Sequence, residues 1–462
     1  MNNYKSYLSP FTWRYGSAAM RQIWSEHYTR LLWRKIWVAL AQTQAHFGLV
    51  TPEQVADLQH HADKVDVERA LEIEIEIQHD LMAEVKTYAE QCPLGGGIIH
   101  LGATSVDVKD NATVLQMRAA LDLTIAGARD LLLILVPKMI QFAETPVMAY
   151  THLQPAEPTT LGYRLAQYTQ DLLTDWENLV RARAALKGKG FKGAVGTSAS
   201  YAELFGLENL AEFELLMAEE LGLTFFPVTT QTYPRKQDYE VLSALAGMGA
   251  SIYKLAFDLR ILQSPPIGEL AEPFGSKQIG SSAMPFKRNP IQAEKLDSLA
   301  RLLAQFPRTA WDNAAHSLLE RTLDDSANRR TLLPEAFLIA DELLRVAYKI
   351  ISNLQIDEIA IGRNFAIYAP FAATERLLMA LGKAGADRQA MHEYLRQHAL
   401  TAWEALRVGE ANPLIELVAQ ESEFLRHLSG AAIRGLMDAS HYVGNAPQKT
   451  RQLAADIQSI VG

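Results

Sequence analysis

Residues Gly280 to Pro290 read GSSAMPFKRNP. Two hydroxyls, a lysine, an arginine and an asparagine are packed between a glycine and a proline, with few aliphatic side chains. A core helix is not built this way. Exposed loops of this composition commonly carry function. With Gly275 and Lys277 upstream, the stretch 275–290 reads as a mobile lid rather than a packed turn. In THLQPAEPTT (151–160), His152 stands beside Thr151 and Gln154, just ahead of a long helical stripe. A lone histidine is usually structural, but in so polar a setting it is a candidate general acid or base. HLGATSVDVKDN (100–111) puts Thr104 and Ser105 at a helix start. Free amides and hydroxyls there can seat a carboxylate or phosphate, or simply cap the helix. ERTLDDSANRR (320–330) sets Arg321, Arg329 and Arg330 around Ser326, either as an anion clamp or as a solvated charged face.

Two other patterns carry less. Gly188-Lys-Gly190-Phe-Lys-Gly193 matches GxGxxG, but it follows a helical stripe with no βαβ pattern around it. A dinucleotide site needs a preceding strand, so a helix–helix connection is the better reading. The twelve histidines form no HExxH motif and no cluster with cysteine. His60 and His61 are adjacent and so do not share a helix face. No metal is expected.

Helical spacing dominates the elements that must position these segments. Leu121, Ile125, Ala128, Leu132, Leu135, Met139 and Phe142 recur at steps of three and four. So do Leu161, Leu165, Tyr168, Leu172, Trp176 and Leu179, and Leu245, Met248, Ile252, Leu255, Leu259 and Leu262. Each series lays one apolar stripe along a helix, as in a long bundle. Pro137 should kink its helix without ending it. Gly48 should stop a helix carrying Leu32, Ile36 and Leu40. The expected class is all-α, with a helical region over 1–104, a central long-helix bundle over 105–356 holding the lid, and shorter helices over 357–462 broken by Pro370, Gly382, Gly385 and Pro413.

The chain has 462 residues, 48% of them hydrophobic and 21% charged, as in a globular protein. No apolar run is long enough for a transmembrane helix. The first residues lack an apolar core with basic flanks, so no secretory leader is expected. A lone cysteine, Cys92, suits a reducing, cytoplasmic setting. The formal charge of −9 opposes nucleic-acid binding. It leaves room for a small anionic substrate held by local arginines.

On these segments the sequence resembles the fumarase/aspartase superfamily, of which GSSxMPxKxNP is the most specific motif. RYGSAAM (14–20), HLGATSxxxxDN (100–111), QTYPRKxDYEVLSALAGMGAS (231–251) and ERTLDDSANRR (320–330) narrow the resemblance to the adenylosuccinate lyase family, closest to its long, animal-like branch. An argininosuccinate-cleaving relative would carry leucine and glutamine in place of Ala283 and Phe286. The resemblance implies a cofactor-free carbon–nitrogen lyase of purine nucleotide synthesis that releases fumarate from a succinylated purine nucleotide. It also implies three helical domains and a homotetramer whose sites are shared between subunits, with no nucleic-acid or membrane partner.

Residue by residue, the resemblance makes Ser281 the general base, His152 the general acid and Glu294 the carboxylate that orients the histidine. Lys287 and Asn289 would hold the departing fumarate portion. Arg14, Tyr15, His79, Asp80, Thr104, Ser105, Gln231, Lys295, Arg321, Ser326 and Arg330 would bind substrate. Three positions depart from the family pattern: Gln78 and Lys295 stand where arginine is usual, and Glu157 replaces a glutamine. Lysine does not reproduce a bidentate arginine, so substrate affinity and preference should respond to the first two.

Overall fold

The computed structural model describes residues 5–462. Long helices dominate it, among them Ser105–Gln141, Leu161–Ala185, Lys236–Leu262, Asp324–Ser352 and Glu358–Lys383. The expected all-α class holds. The chain forms two compact units, one of Met1–Ala128, Asp175–Ala250 and Ser298–Arg345, the other of Arg129–Thr174, Ser251–Asp297 and Val346–Gly462.

The sequence stripes are the buried faces of these helices. Leu121, Leu132, Leu135 and Met139 are fully buried, as are Leu161, Leu179, Leu245, Met248 and Ile252, whereas Ile125 and Trp176 are only partly covered. In the first unit the helices approach closely. A Cβ on Gly249 would lie 3.1 Å from Leu303, and one on Gly127 would lie 3.2 Å from Leu344. The helix Glu26–His46 ends just before Gly48, which takes φ of +74°. The helix through Pro137 continues to Gln141.

The second unit holds a core of Leu377, Leu381, Met391, Leu395, Leu414, Phe424 and Ile433, joined by Met148. Here the expected breaks at Pro370 and Gly382 do not occur, because both lie inside the helix Glu358–Lys383. Its buried face, including Ala369, Pro370, Ala373 and Leu377, outweighs the one hydrogen bond a proline forfeits. Cys92, in the first unit, is buried, and burial pushes its thiol up to about 12.

Short strands also form. β1 (Pro146–Thr151) and β2 (Gln154–Thr160) make an antiparallel hairpin with Thr151 opposite Gln154, and β3 (Leu270–Ala271) pairs with β4 (Gln355–Ile356). The hairpin was hidden from the period-two rule, since QPAEPTT carries two prolines and no alternation of apolar residues.

Candidate active site

His152 sits at the tip of the β1–β2 hairpin, in the second unit. With Thr151 facing Gln154, the turn has two central residues, His152 and Leu153, at φ of +54° and +61°. Such a turn follows the twist of the strands but prefers asparagine and glycine. Histidine and leucine hold it at a cost in strain. The hairpin base is anchored by Arg164, which bonds the Met148 carbonyl and also Glu269 at 2.7 Å. Asn364 donates to the other Glu269 oxygen at 3.0 Å. The tip is exposed, and its imidazole makes no hydrogen bond or ion pair among the described residues.

The lid lies in the same unit and forms neither helix nor strand over 275–290. Asn289 Nδ2 donates to the Gly280 carbonyl at 2.9 Å, drawing the two ends of the motif together. A Cβ on Gly280 would fall 2.1 Å from the Lys287 carbonyl, so only glycine permits this crossing. The Ser281 hydroxyl accepts from the amides of Ala283 and Met284 at 3.3 and 3.1 Å. Two amides aimed at this oxygen would stabilise negative charge on it. Lys287 is exposed, as are Phe286 and Ile279. The carboxylate of Glu272, buried just before the lid, accepts from the Gln292 and Ala293 amides that start the next helix. Burial pushes its carboxyl up against the opposing pull of these amides. Glu294 is exposed on that helix, 3.8 Å from Arg260, and Lys295 is half-buried beside it.

In the first unit the start of the helix Ser105–Gln141 gathers several segments. His79 caps the helix Asp80–Gln91, accepting from the Met82 amide at 3.3 Å through Nδ1, with Nε2 3.5 Å from Ser105 Oγ. Asp80 meets Lys109 Nζ at 2.6 Å and Arg330 Nη2 at 2.9 Å. Burial raises the Asp80 carboxyl, but Lys109, the Leu81 amide and Arg330 outweigh it and hold it below its ordinary range. Asp110 accepts from the Tyr233 amide and from Arg235, Arg235 bonds Asp325, and Asp325 bonds Arg321 at 2.9 Å. Gln231 donates its amide to the Glu320 carbonyl at 3.1 Å. Ser326 is half-buried one residue beyond Asp325. Arg14 is exposed next to Tyr15, whose carbonyl is held by Arg21 at 3.0 Å. Of the arginines in 320–330, Arg329 is neither clamp nor solvated face. It is engaged by Asp238 at 2.7 Å and by the Tyr233 hydroxyl at 2.6 Å.

Strain maps onto these same segments. The described non-glycine residues with positive φ are Gln78, His100, His152, Leu153, Ser198 and Leu319. All but Ser198 lie within or directly beside a segment or position singled out by sequence. Backbone strain of this kind gathers where function constrains the chain.

The comparisons with known proteins agree along the whole length. A family described as lyase matches residues 14–303, and one described as adenylosuccinate lyase C-terminus matches 370–453. Adenylosuccinate lyase from Schizosaccharomyces pombe is 39% identical over 97% of this chain and 94% of its own. The Saccharomyces cerevisiae enzyme is also 39% identical, over 98% of this chain and 95% of its own. The chain belongs to the adenylosuccinate lyase family. The crystal structure of 3-carboxy-cis,cis-muconate lactonizing enzyme from Pseudomonas putida matches with a TM-score of 0.86 at 26% identity, over 98% of this chain and 99% of that one.

The sequence did not single out Glu272, Asp107 or the Asp110–Arg235–Asp325 network. These are buried charges whose partners lie far away along the chain, so no local spacing announces them. No helix is long and apolar enough to cross a membrane among the described residues.

Proposed function

We propose that this chain eliminates fumarate from adenylosuccinate, giving AMP, and from the succinylated carboxamide ribotide SAICAR, giving AICAR. The carrying observation is the GSSAMPFKRNP lid, open and glycine-hinged, in a chain matched nearly end to end by adenylosuccinate lyases.

In the proposed reaction Ser281 takes a proton from the methylene carbon beside a carboxylate. The electron pair delocalises into that carboxylate, so charge grows on its oxygens. Donors aimed there supply the largest share of the rate, and Lys287, Asn289, Thr104 and Ser105 are the candidates. The carbon–nitrogen bond then breaks, and His152, oriented by Glu294, gives its proton to the leaving nitrogen. The two amides on the Ser281 oxygen favour its ionised form. Arg14, Tyr15, His79, Asp80, Gln231, Lys295, Arg321, Ser326 and Arg330 bind the nucleotide.

The working form is a homotetramer in the cytoplasm, built from three helical segments, 1–104, 105–356 and 357–462. Its sites combine residues of different subunits. Two observations support this. Within one chain the His152 ring meets none of Ser281, Lys287 or Glu294 among the described residues. Large apolar side chains also stand exposed in each unit, including Leu318, Leu319 and Leu323 in the first and Ile140, Tyr163 and Phe257 in the second.

The test follows absorbance loss and AMP formation with adenylosuccinate, beside argininosuccinate, aspartate and malate assays. Turnover of adenylosuccinate alone is expected. Turnover of another of these in its place overturns the assignment.

A further inference from the structure

The glycine-rich GKGFKG loop has no part in the reaction above, yet it is among the most heavily bonded segments of the first unit. It wraps the carboxylate of Asp107. Asp107 Oδ1 accepts from the Lys192 amide at 3.1 Å and the Gly193 amide at 3.3 Å, and bonds the Lys189 ammonium. Oδ2 accepts from Gly193 at 3.2 Å, from the Tyr201 hydroxyl at 3.4 Å and from the Thr104 amide at 3.0 Å. Lys189 and Asp107 are both wholly buried. The loop thus does for an internal carboxylate what such loops elsewhere do for phosphate.

The last of those contacts reaches the site. Thr104 immediately precedes the helix Ser105–Gln141, and Asp107 is that helix's third residue. A side chain there that accepts from the residue ahead of the helix forms half of a capping box and fixes where the helix begins. One turn on, Asn111 repeats the grip. Its Nδ2 donates to the Gly190 carbonyl at 3.1 Å, and its Oδ1 accepts the Gly190 amide at 3.2 Å. Gly188 packs so closely that a Cβ would lie 2.5 Å from Asn111 Oδ1. The loop is itself pinned by the Gly188 amide on the Thr224 carbonyl at 2.8 Å and the Phe226 amide on the Gly188 carbonyl at 3.0 Å.

We infer that Asp107, seated in the GKGFKG loop against Lys189, is a positioning residue that aims Thr104 and Ser105 at the substrate's carboxylate. This rests on the function proposed above, in which that pair faces the fumarate portion. A buried carboxylate held by an ammonium and several amides has one geometry. Neutralising it leaves the buried Lys189 ammonium with only the Gly193 carbonyl, at 3.2 Å, and weakens the hold on the Thr104 amide, so the first turn loses its fixed direction.

The experiment measures inhibition by fumarate and by AMP separately in the intact enzyme and in Asp107→Asn, with the melting curve and oligomer size as controls. Weakening of fumarate by about tenfold or more is expected, with AMP changed by less than about twofold. The milder Tyr201→Phe variant keeps the charge pair and removes one hydrogen bond. It should move fumarate the same way by about two- to fivefold, the usual worth of one such bond. It serves alone if Asp107→Asn does not fold. Unchanged fumarate inhibition in a folded variant overturns the inference. So does a parallel loss of fumarate and AMP, which marks a merely structural role. If the unaltered protein responds to neither molecule, the proposed function fails first, and the inference with it.

Discussion

The Oε2 of Glu272 lies 2.9 Å from the amide nitrogen of Ala293, and that contact joins the two stems of the lid. The residues between them can move while the stems stay together. A carboxylate also suits the positive end of the helix that begins at Ile291.

Glu272→Ala should therefore loosen the stems. Loss of a cap costs about 0.5–2 kcal/mol, to be read as a lower melting temperature. Trypsin should cut faster at Lys277, Lys287 and Arg288, and kcat should fall because closure is less well guided. An unchanged cleavage rate would mean that the lid's order does not depend on this contact.

Ser281→Ala should reduce kcat by about 10²–10⁴-fold, the usual worth of a general base, while substrate still binds. The hydrogen bond from Asn289 to Gly280, which draws the two ends of the lid together, does not need the hydroxyl. Near-normal kcat in this variant would remove Ser281 from the chemistry.

Much of this site was legible as composition. The lid stood out because no core segment combines those residues, and the long helices stood out because their apolar stripes repeat faithfully. The hairpin under His152 was not legible. Its turn is made by histidine and leucine instead of asparagine and glycine, and its second strand holds prolines. Pro370 misled for the opposite reason: a local breaker was overruled by the buried face around it. The buried ion pairs were invisible because Asp107 and Lys189 stand 82 positions apart.

Glu157→Gln tests a departure from the family pattern. The Glu157 carboxyl is raised by its hydrogen bond with Glu375, by partial burial and by repulsion from that same neighbour. A carboxyl raised on folding contributes stability that is complete below its ordinary value of 4.5 and is lost as pH rises through the folded value. Glutamine keeps a donor toward Glu375 at every pH. The variant's melting temperature should therefore pull ahead of the parent's as pH climbs above 4.5, by a few degrees at most because the pair is largely exposed. Parallel curves across pH 4–8 would show that the two carboxyls do not share a proton.

Co-refolding tests the shared site. His152→Gln and Ser281→Ala proteins should each be inactive. Unfolded and refolded together in equal amounts, they should regain activity in roughly a quarter of sites, as expected for closed symmetric oligomers. Specific activity is compared with each variant refolded alone, and tetramer content is checked by sizing. No recovery in confirmed mixed tetramers would place both residues of a site on one chain.

The two-residue turn at His152 and Leu153 also limits how this gene can change over evolutionary time. Side chains alternate between the faces of a strand, so one inserted or deleted residue would turn β2 over. Pro158 and Thr160, now buried, would be presented to water, and the histidine would be re-aimed. Surface loops ordinarily drift in length among descendants of a common ancestor. This one should admit substitutions yet keep a constant number of codons between Pro146 and Thr160.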